Sequence, residues 1–360
     1  MRRLGIAYSI TAKYVLLVLP SLVSVLENNR KCKEADKVEI EVFFYTLDID
    51  ESQCERLKEV CKTYSVNCHV IDSSECIKAL EMAGDEAYQD SLVIDLFVVA
   101  PSMLDVDYNV LFLHSDVVMN HGHSLKELAE YDFEGGKKSC ASTIELQDCP
   151  LIKKVMPLPK EQHLFNCGVF LVSPRLYKEH GVFGQYIQSV KERGWKFYPY
   201  WNVLRNGYGL RNELSVLPIK YQVYPAQKML KIPQWKKMFL LEKAEYYLDE
   251  EIEQALADPV FIHYVNFIVR KPWHRDIPKE YKKTGYWPYQ NIWNYYADLL
   301  GNREALLEPW HMSRMEKMKR ICFDYFRFLY VPLCRYFYKR EVLQRNRIID
   351  GLSDKDRRNI

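Results

Sequence analysis

Short apolar strands alternate with helical stretches through the first half of this chain, and this alternation limits the fold more than any other feature. Strand patterns lie at residues 4–9, 39–47, 67–72 and 109–114, and helical periodicity fills most of the sequence between them. Later strands follow at residues 165–173 and 259–264, with a helix at 174–193 after the first of these. Such alternation predicts an α/β fold with a mostly parallel central sheet and helices on both faces.

The fourth strand ends abruptly in His114-Ser115-Asp116. Open sheets of this class bind ligands beyond the carboxyl ends of their strands, so polar residues at that position are candidate site residues. Alternate residues of an extended chain share a face, which predicts that His114 and Asp116 point the same way. An imidazole with a carboxylate suits a divalent transition ion such as Mn²⁺ better than Ca²⁺. By itself the pattern also fits a solvated strand end.

Two other strands carry polar residues that suit a similar site. His263 lies near the end of the last apolar strand, and Lys271-Pro272-Trp273 begins eight positions later. A lysine beside a metal site can neutralise phosphate oxygens that the metal also holds. Asn166, near the start of the strand at 165–173, can offer its amide to sugar hydroxyls. Taken separately, the histidine also fits a core edge and the asparagine a turn into a strand.

Taken in order, these motifs resemble glycosyltransferase family 8, which includes glycogenin and the bacterial lipopolysaccharide galactosyl- and glucosyltransferases. The matching segments are IAYS near the amino terminus, VLFLHSD at the fourth strand, FNCGVFL at 165–171, and HY followed by KPW at 263–273. The D-x-D type of motif is common to many transferases, whereas FNxGV followed by HY and KPW is far more specific. The resemblance covers roughly residues 4–274.

The resemblance implies a GT-A nucleotide-sugar fold over residues 1–275, a UDP-hexose donor, a glycan or glycolipid acceptor, and transfer with retention of anomeric configuration. It also implies a Mn²⁺ cofactor, with Mg²⁺ as the alternative, because a divalent ion stabilises the charge on departing UDP. Carried over residue by residue, the resemblance assigns metal binding to His114, Asp116 and His263. It assigns phosphate binding to Lys271, the uracil contact to Tyr14 and contacts with sugar hydroxyls to Asn166. Further nucleotide-sugar contacts are assigned to Ala7, Tyr8 and Ser115.

Several positions depart from the family pattern. His114 stands in place of the first Asp of D-x-D, which removes one negative charge and predicts weaker metal binding or a different choice of metal. Thr11 stands where an Asp contacts the uracil, so the base specificity stays open. Asn266 replaces a glycine, which is a mild change because asparagine tolerates left-handed conformations. The spacing from His263 to Lys271 is two residues longer than in the family.

The family's sugar-facing Asp-Gln pair has no clear counterpart. The best alignment places Asn202 there, which makes it a second catalytic candidate beside Asn166, and Asn212-Glu213 is another option. Two functions therefore stay open: an active hexosyltransferase, or a sugar-nucleotide-binding or scaffolding protein that has lost catalysis. The retained Asp116 and Lys271 favour the active enzyme.

Residues 276–360 differ from the rest in composition. From His311 onward, 13 lysines and arginines stand against 6 acidic residues, whereas the preceding 310 residues carry a net charge of −5. Aromatic and basic residues interleave in this tail, which fits either terminal helices packed on the main domain or a segment that lies on an anionic membrane. Each basic residue contributes about 1 kcal/mol at such a surface, and aromatic rings favour the headgroup level. The family resemblance favours the membrane, and Pro332 predicts that the tail is not one unbroken helix.

Other features of the sequence limit its compartment and partners. The longest apolar run, at residues 14–26, is interrupted by Pro20 and is too short to cross a bilayer. The ten cysteines are scattered without a C-x-x-C pair, which favours buried thiols in a reducing compartment. The acidic body argues against nucleic acid as a partner. We therefore expect a cytoplasmic enzyme, attached peripherally to the inner face of the cytoplasmic membrane, that acts in lipopolysaccharide or other surface polysaccharide synthesis.

Overall fold

The computed structural model describes residues 2–82, 89–146, 148–155, 162–193, 209–265, 271–274, 288–308, 314, 318 and 326–351. The strands in these ranges are β1 (Arg3–Thr11), β2 (Glu39–Leu47), β3 (Asn67–Asp72), β4 (Val110–Leu113), β5 (Val117–Met119), β6 (Cys140–Ile144), β7 (Phe165–Val172), β8 (Leu214–Val216) and β9 (Phe261–His263). The helices are α1 (Val15–Lys31), α2 (Glu51–Thr63), α3 (Ser74–Met82), α4 (Gln89–Met103), α5 (Lys126–Ala129), α6 (Phe133–Gly136), α7 (Pro150–Val155), α8 (Pro174–Glu179), α9 (Val182–Arg193), α10 (Pro225–Met229), α11 (Ile232–Met238), α12 (Asp249–Ala257), α13 (Gln290–Leu299) and α14 (Arg327–Gly351).

Seven strands form one sheet in the order β3-β2-β1-β4-β7-β6-β8. β1 is parallel to β2 and β4, β2 is parallel to β3, and β6 is parallel to β8. Among the described strands of this sheet, only β7 runs antiparallel to its neighbours. Strands β5 and β9 form a separate small antiparallel sheet. The predicted α/β fold with a mostly parallel sheet is confirmed.

Both faces of the central strands are buried. In β1, Ile6 and Tyr8 join an apolar cluster with residues of α1 on one face, while Ala7 joins a cluster with residues of α4 on the other. Strands covered on both faces read as continuous apolar runs, which explains why the sequence marks β1, β2 and β4 so clearly. A third cluster, which includes Trp235 and Trp293, joins α11, α13 and α14 to the region around β5 and β9.

The structure divides one predicted helix and adds three strands. The helix predicted at 174–193 is two helices, α8 and α9, separated at Gly181, whose φ of +62° is a left-handed conformation that glycine adopts without strain. The sequence pattern does not predict β5, β6 or β8, because these strands have only three to five residues and show little periodicity. The predicted domain boundary at residue 275 lies outside the described residues.

The expectation that Pro332 interrupts the tail is wrong. α14 is a single helix with Pro332 inside it. Because Pro332 is exposed, water can bind the Phe328 carbonyl, which has no helical N–H partner. The inner face of α14, including the buried Val331, packs against the same apolar cluster as α11. In the described part of the chain, we find no helix with the length and apolar character needed to span a membrane.

Tyr247 ties the end of β6 to the segment after β8, and its removal tests this part of the core. The buried Tyr247 hydroxyl accepts a hydrogen bond from the Ile144 N–H at 2.9 Å and donates one to the Leu217 carbonyl at 2.7 Å. Y247F leaves both backbone groups without this partner, so we expect the free energy of unfolding to fall by about 1–3 kcal/mol. Urea denaturation measures the change. The exposed Tyr336→Phe is the control, and equal effects of the two variants would contradict the prediction.

Candidate functional site

A cleft of about 400 Å³ opens at the carboxyl ends of β1 and β4, where the sheet topology predicts a ligand site. The sequence-predicted residues that line it are Thr11, Tyr14, His114, Ser115, Asp116 and Lys271. Apolar side chains, including Leu17, Phe97 and Trp273, complete the wall. The cleft therefore combines an apolar, aromatic part with a compact polar cluster.

His114 and Asp116 face this cleft through a turn, not through an extended strand. β4 ends at Leu113, and the Val117 N–H donates to the His114 carbonyl at 3.1 Å, which closes the turn. The His114 N–H donates to the Gly168 carbonyl at 3.0 Å, which holds the turn against β7. The two side chains thus reach the same cleft, although the alternation of an extended chain is not the reason.

The small β5-β9 sheet brings His263 to Asp116. β5 starts directly after Asp116, and its first residue, Val117, pairs with His263 across the antiparallel ladder. The Tyr264 N–H donates to the Asp116 carbonyl at 2.9 Å. As a result, His263 Nε2 lies 3.1 Å from Asp116 Oδ1, and the His263 ring meets the His114 ring edge-on at a centroid distance of 5.3 Å.

Gly168 makes room for the His263 ring. A Cβ atom at residue 168 would lie 2.4 Å from two atoms of the His263 ring, a distance at which the ring must move. The Asn166 side-chain oxygen accepts a hydrogen bond from the Gly168 N–H at 2.7 Å and holds the backbone in place. The FNCGV segment of β7 is therefore a support for the histidine on the neighbouring sheet.

Asp116 has a charged partner among the residues that line the cleft. The Lys271 ammonium forms an ion pair with Asp116 Oδ2, while Oδ1 faces His263. Burial favours a higher pKa for the Asp116 carboxyl, but Lys271 and His263 outweigh burial and hold this pKa well below its ordinary value. Asp116 is therefore a carboxylate at any physiological pH.

The donor atoms in this cluster fit a divalent metal ion. One ligand atom each from His114, Asp116 and His263 lies within 4.8 Å of the others. His114 Nε2 and His263 Nδ1 are buried without a hydrogen-bond partner among the described residues. Burial and the nearby His263 lower the pKa of His114 to about 4, so its ring is neutral near pH 7 and keeps a lone pair for a metal. Two imidazoles and a carboxylate are a ligand set that transition ions accept.

The aromatic part of the cleft lies at the start of α1. Tyr14 is 38% exposed there and presents its ring to the cleft, beside Lys13 and Thr11. Ser115 also lines the cleft, next to Asp116 in the sequence. An exposed aromatic ring that lines the same cleft as a polar cluster can stack on a planar ligand.

Other predicted residues lie elsewhere. Ala7 and Tyr8 do not line the cleft, because both side chains are fully buried in the layers on either side of β1 and the Tyr8 hydroxyl bonds to Ser21. Asn202 lies outside the described residues. Glu213, the other option, is far from the site: its carbonyl bonds the N–H of Cys140, at the amino end of β6, whereas the cleft lies at carboxyl ends.

Asn166 is buried close to the cleft, with both ends of its amide engaged. Its oxygen accepts from the Gly168 N–H, and its Nδ2 donates to Glu145. Glu145 is itself buried and directly follows β6, a position that sequence reasoning missed. Because the sequence does not mark β6, no local signal pointed to Glu145. A contact of Asn166 with a sugar stays a prediction.

Among the residues of the cleft wall that sequence reasoning also missed are Lys13, His274 and Glu308. His274 and Glu308 form an isolated backbone bridge, and the Glu308 N–H donates to the Trp273 carbonyl at 2.8 Å. The KPW segment and residue 308 therefore form one wall of the cleft. Lys13 adjoins Tyr14 and was detectable from that position, whereas Glu308 carried no local signal.

The comparisons with known proteins agree with this geometry. The sequence model for Glycosyl transferase family 8 matches residues 5–277, well over half of the chain, and the protein belongs to this family. No curated protein sequence matches the chain.

Solved glycosyltransferases share the fold. The galactosyltransferase LgtC, in complex with donor and acceptor sugar analogues, superposes with a TM-score of 0.56 and 17% identity, covering 83% of this chain and 95% of LgtC. The apo bifunctional glycosyltransferase WbbM superposes with a TM-score of 0.62 and 13% identity, covering 85% of this chain and 51% of WbbM. This chain thus spans about half the length of WbbM. At these identities the likeness concerns the fold, which is the GT-A fold.

The contact between Gly168 and His263 can be tested by adding one methyl group. We expect G168A to lower the free energy of unfolding by about 1–3 kcal/mol, because the new Cβ overlaps the His263 ring and the core must shift. Thermal or urea denaturation measures the loss. G184A is the matched control, since a Cβ at Gly184 in α9 meets no atom within 4 Å. Equal stability of the two variants would contradict the packing described here.

Proposed function

We propose that this family 8 glycosyltransferase moves a hexose, galactose or glucose, from a UDP-sugar to a glycan or glycolipid acceptor with retention of anomeric configuration. The observation that carries the proposal is that His114, Asp116, Lys271 and Tyr14 line one cleft, with the buried His263 in contact with Asp116. We place the reaction in lipopolysaccharide or other surface polysaccharide synthesis.

Two kinds of support bear on the donor. The cleft has the parts that a nucleoside diphosphate sugar needs: an aromatic ring for a base, an ammonium for phosphate and a ligand set for a metal. The similar LgtC structure contains donor and acceptor sugar analogues. In our assignment Asn166 positions sugar hydroxyl groups, and the alignment of motifs gives Asn202 the same role.

The residues divide the chemistry between them. His114, Asp116 and His263 would hold the divalent ion, Mn²⁺ or Mg²⁺, which when bound stabilises the negative charge of the departing diphosphate. Lys271 leaves its ion pair with Asp116 to neutralise a phosphate oxygen, and Tyr14 stacks on the base. Ser115, which lines the cleft beside Asp116, is assigned a further nucleotide contact, whereas Ala7 and Tyr8 are buried in the sheet and take no part.

Retention follows if the acceptor attacks from the face that UDP leaves. The bond from the anomeric carbon to the UDP oxygen breaks, the bond to the acceptor oxygen forms, and the acceptor proton passes to the departing phosphate. This route needs no separate protein base. The neutral His114 and the ionised Asp116 are accordingly assigned to metal binding and not to proton transfer.

Removal of the Asp116 charge tests the proposal directly. We expect D116N to lower UDP-hexose turnover by about 100-fold or more, since the charge that stabilises the leaving group would be poorly held. UDP release from UDP-galactose and UDP-glucose, measured with and without Mn²⁺, gives the rate. Calorimetric titration with UDP in the same buffers measures binding.

D258N, at a largely exposed aspartate outside the cleft, is the matched control and should keep wild-type turnover. Circular dichroism establishes that both variants are folded. Wild-type turnover by D116N would overturn the metal assignment. UDP binding without turnover by the wild type, with either Mn²⁺ or Co²⁺ present, would instead favour the sugar-nucleotide-binding or scaffolding protein.

We also propose that the tail attaches the enzyme to the inner face of the cytoplasmic membrane. The outer face of α14 exposes large apolar side chains, from 47% to 72% of their surface: Phe328, Leu329, Leu333, Tyr336 and Phe337. The exposed Lys339 and Arg340 follow them on the same helix. An apolar stripe beside basic residues suits a helix that lies in the plane of an anionic bilayer surface.

Introduction of negative charges into this stripe tests the membrane proposal. We expect L333E/F337E to lower partitioning onto phosphatidylglycerol-containing vesicles by at least about tenfold, because two apolar side chains can no longer be buried in the interface. Vesicle flotation measures this, with pure phosphatidylcholine vesicles as the uncharged comparison. L248E is the control, since Leu248 is 65% exposed at a distance from the tail in sequence. Equal partitioning of both variants would rule the stripe out.

A further inference from the structure

We propose that His114 sets the metal preference of this site, so that the protein binds nitrogen-preferring ions such as Co²⁺ and Zn²⁺ in preference to Mn²⁺, and Mg²⁺ weakly. The inference rests on the proposed metal site and goes beyond it, because the ligands also decide which ion is bound. It assigns His114 a specificity role that a carboxylate at the same position would not have.

The first support is the donor set itself. Two imidazoles, from His114 and His263, and a single carboxylate, from Asp116, lie within 4.8 Å of one another. Imidazole suits Zn²⁺, Co²⁺, Fe²⁺ and Ni²⁺, whereas Mg²⁺, Ca²⁺ and Mn²⁺ prefer carboxylate and carbonyl oxygens. His114 also has a buried ring nitrogen without a partner among the described residues, which a metal ion would satisfy.

The second support is the local charge. Asp116 brings the only formal negative charge among the three ligands, and Lys271 already pairs with it. Hard ions such as Mg²⁺ are held by charged oxygens and give up their water reluctantly. A cluster whose single carboxylate is neutralised by an ammonium offers such an ion little. Ions such as Co²⁺ and Zn²⁺, which bind imidazole nitrogen well, lose less affinity when the carboxylate is neutralised.

The third support is that the two imidazoles are held in place. The His114 backbone is fixed at both ends of its turn, to Gly168 and to Val117. The His263 ring rests against Gly168 and lies 5.5 Å from the ring of Tyr224. A rigid pair of nitrogen donors is a pre-formed part of a site, so the preference for nitrogen-binding ions does not depend on side chains that must first be ordered.

The experiment compares metal binding to nucleotide-free wild type and H114D, with Co²⁺, Mn²⁺ and Mg²⁺ as probes. We expect the ratio of the Mn²⁺ to the Co²⁺ dissociation constant to be at least about tenfold larger in the wild type than in H114D, because the variant exchanges a nitrogen for a charged oxygen. Calorimetry gives the constants. The visible spectrum of bound Co²⁺ gives a second readout, which should change when an imidazole ligand is lost.

H121D is the matched control, because His121 is an exposed histidine outside the cluster, and it should keep the wild-type ratio. Thermal denaturation establishes that all three proteins are folded. An unchanged ratio in H114D, an equal shift in H121D, or no metal binding to the wild type would each overturn the inference. UDP-hexose turnover is measured separately, so a shifted ratio in a protein without turnover would uphold the metal preference while the proposed function fails.

Discussion

The carboxylate of Asp116, whose side chain is only 14% exposed, is the group on which the rest of the site depends. A carboxylate at this depth is stable only if it is paired, since the cost of removing its charge from water is several kcal/mol. Its partners come from a different part of the chain: Lys271 is 155 positions away, and His263 arrives on β9. The pairing therefore joins the end of β4 to the KPW segment and shapes the cleft between them.

Backbone packing, more than side-chain chemistry, explains why these partners meet. Val117 pairs with His263 across the two small strands, which fixes the register of that histidine relative to Asp116. Gly168 in β7 has no side chain, so the His263 ring can lie close to that strand. The FNCGV motif thus has a structural role, since it leaves space for the His263 ring, in addition to any contact that Asn166 makes with a sugar.

The sequence was informative where elements are long or fully buried. The boundaries of β2 agree with the predicted strand, because most of its nine residues are apolar or β-branched and buried. The short β5, β6 and β8 have too few residues for a period, and their position depends on partners that are distant in sequence. The same limit applies to the site: His114, Asp116 and Lys271 carried motif signals, whereas the approach of Glu308 depends on a long-range backbone bridge.

The tail illustrates a different limit. From the interleaved aromatic and basic residues alone, a helix packed on the main domain could not be distinguished from a helix that faces a membrane. The structure shows that α14 carries apolar side chains on both its inner and its outer face. Val331 is buried and Tyr338 meets the ring of Phe239, while Phe328 and Phe337 point outward. One helix therefore completes the core and offers a surface. Deleting it would remove core contacts together with the stripe, so loss of binding in a truncated protein would not separate the two roles. Substitutions on the outward face keep the inner contacts and isolate the surface role.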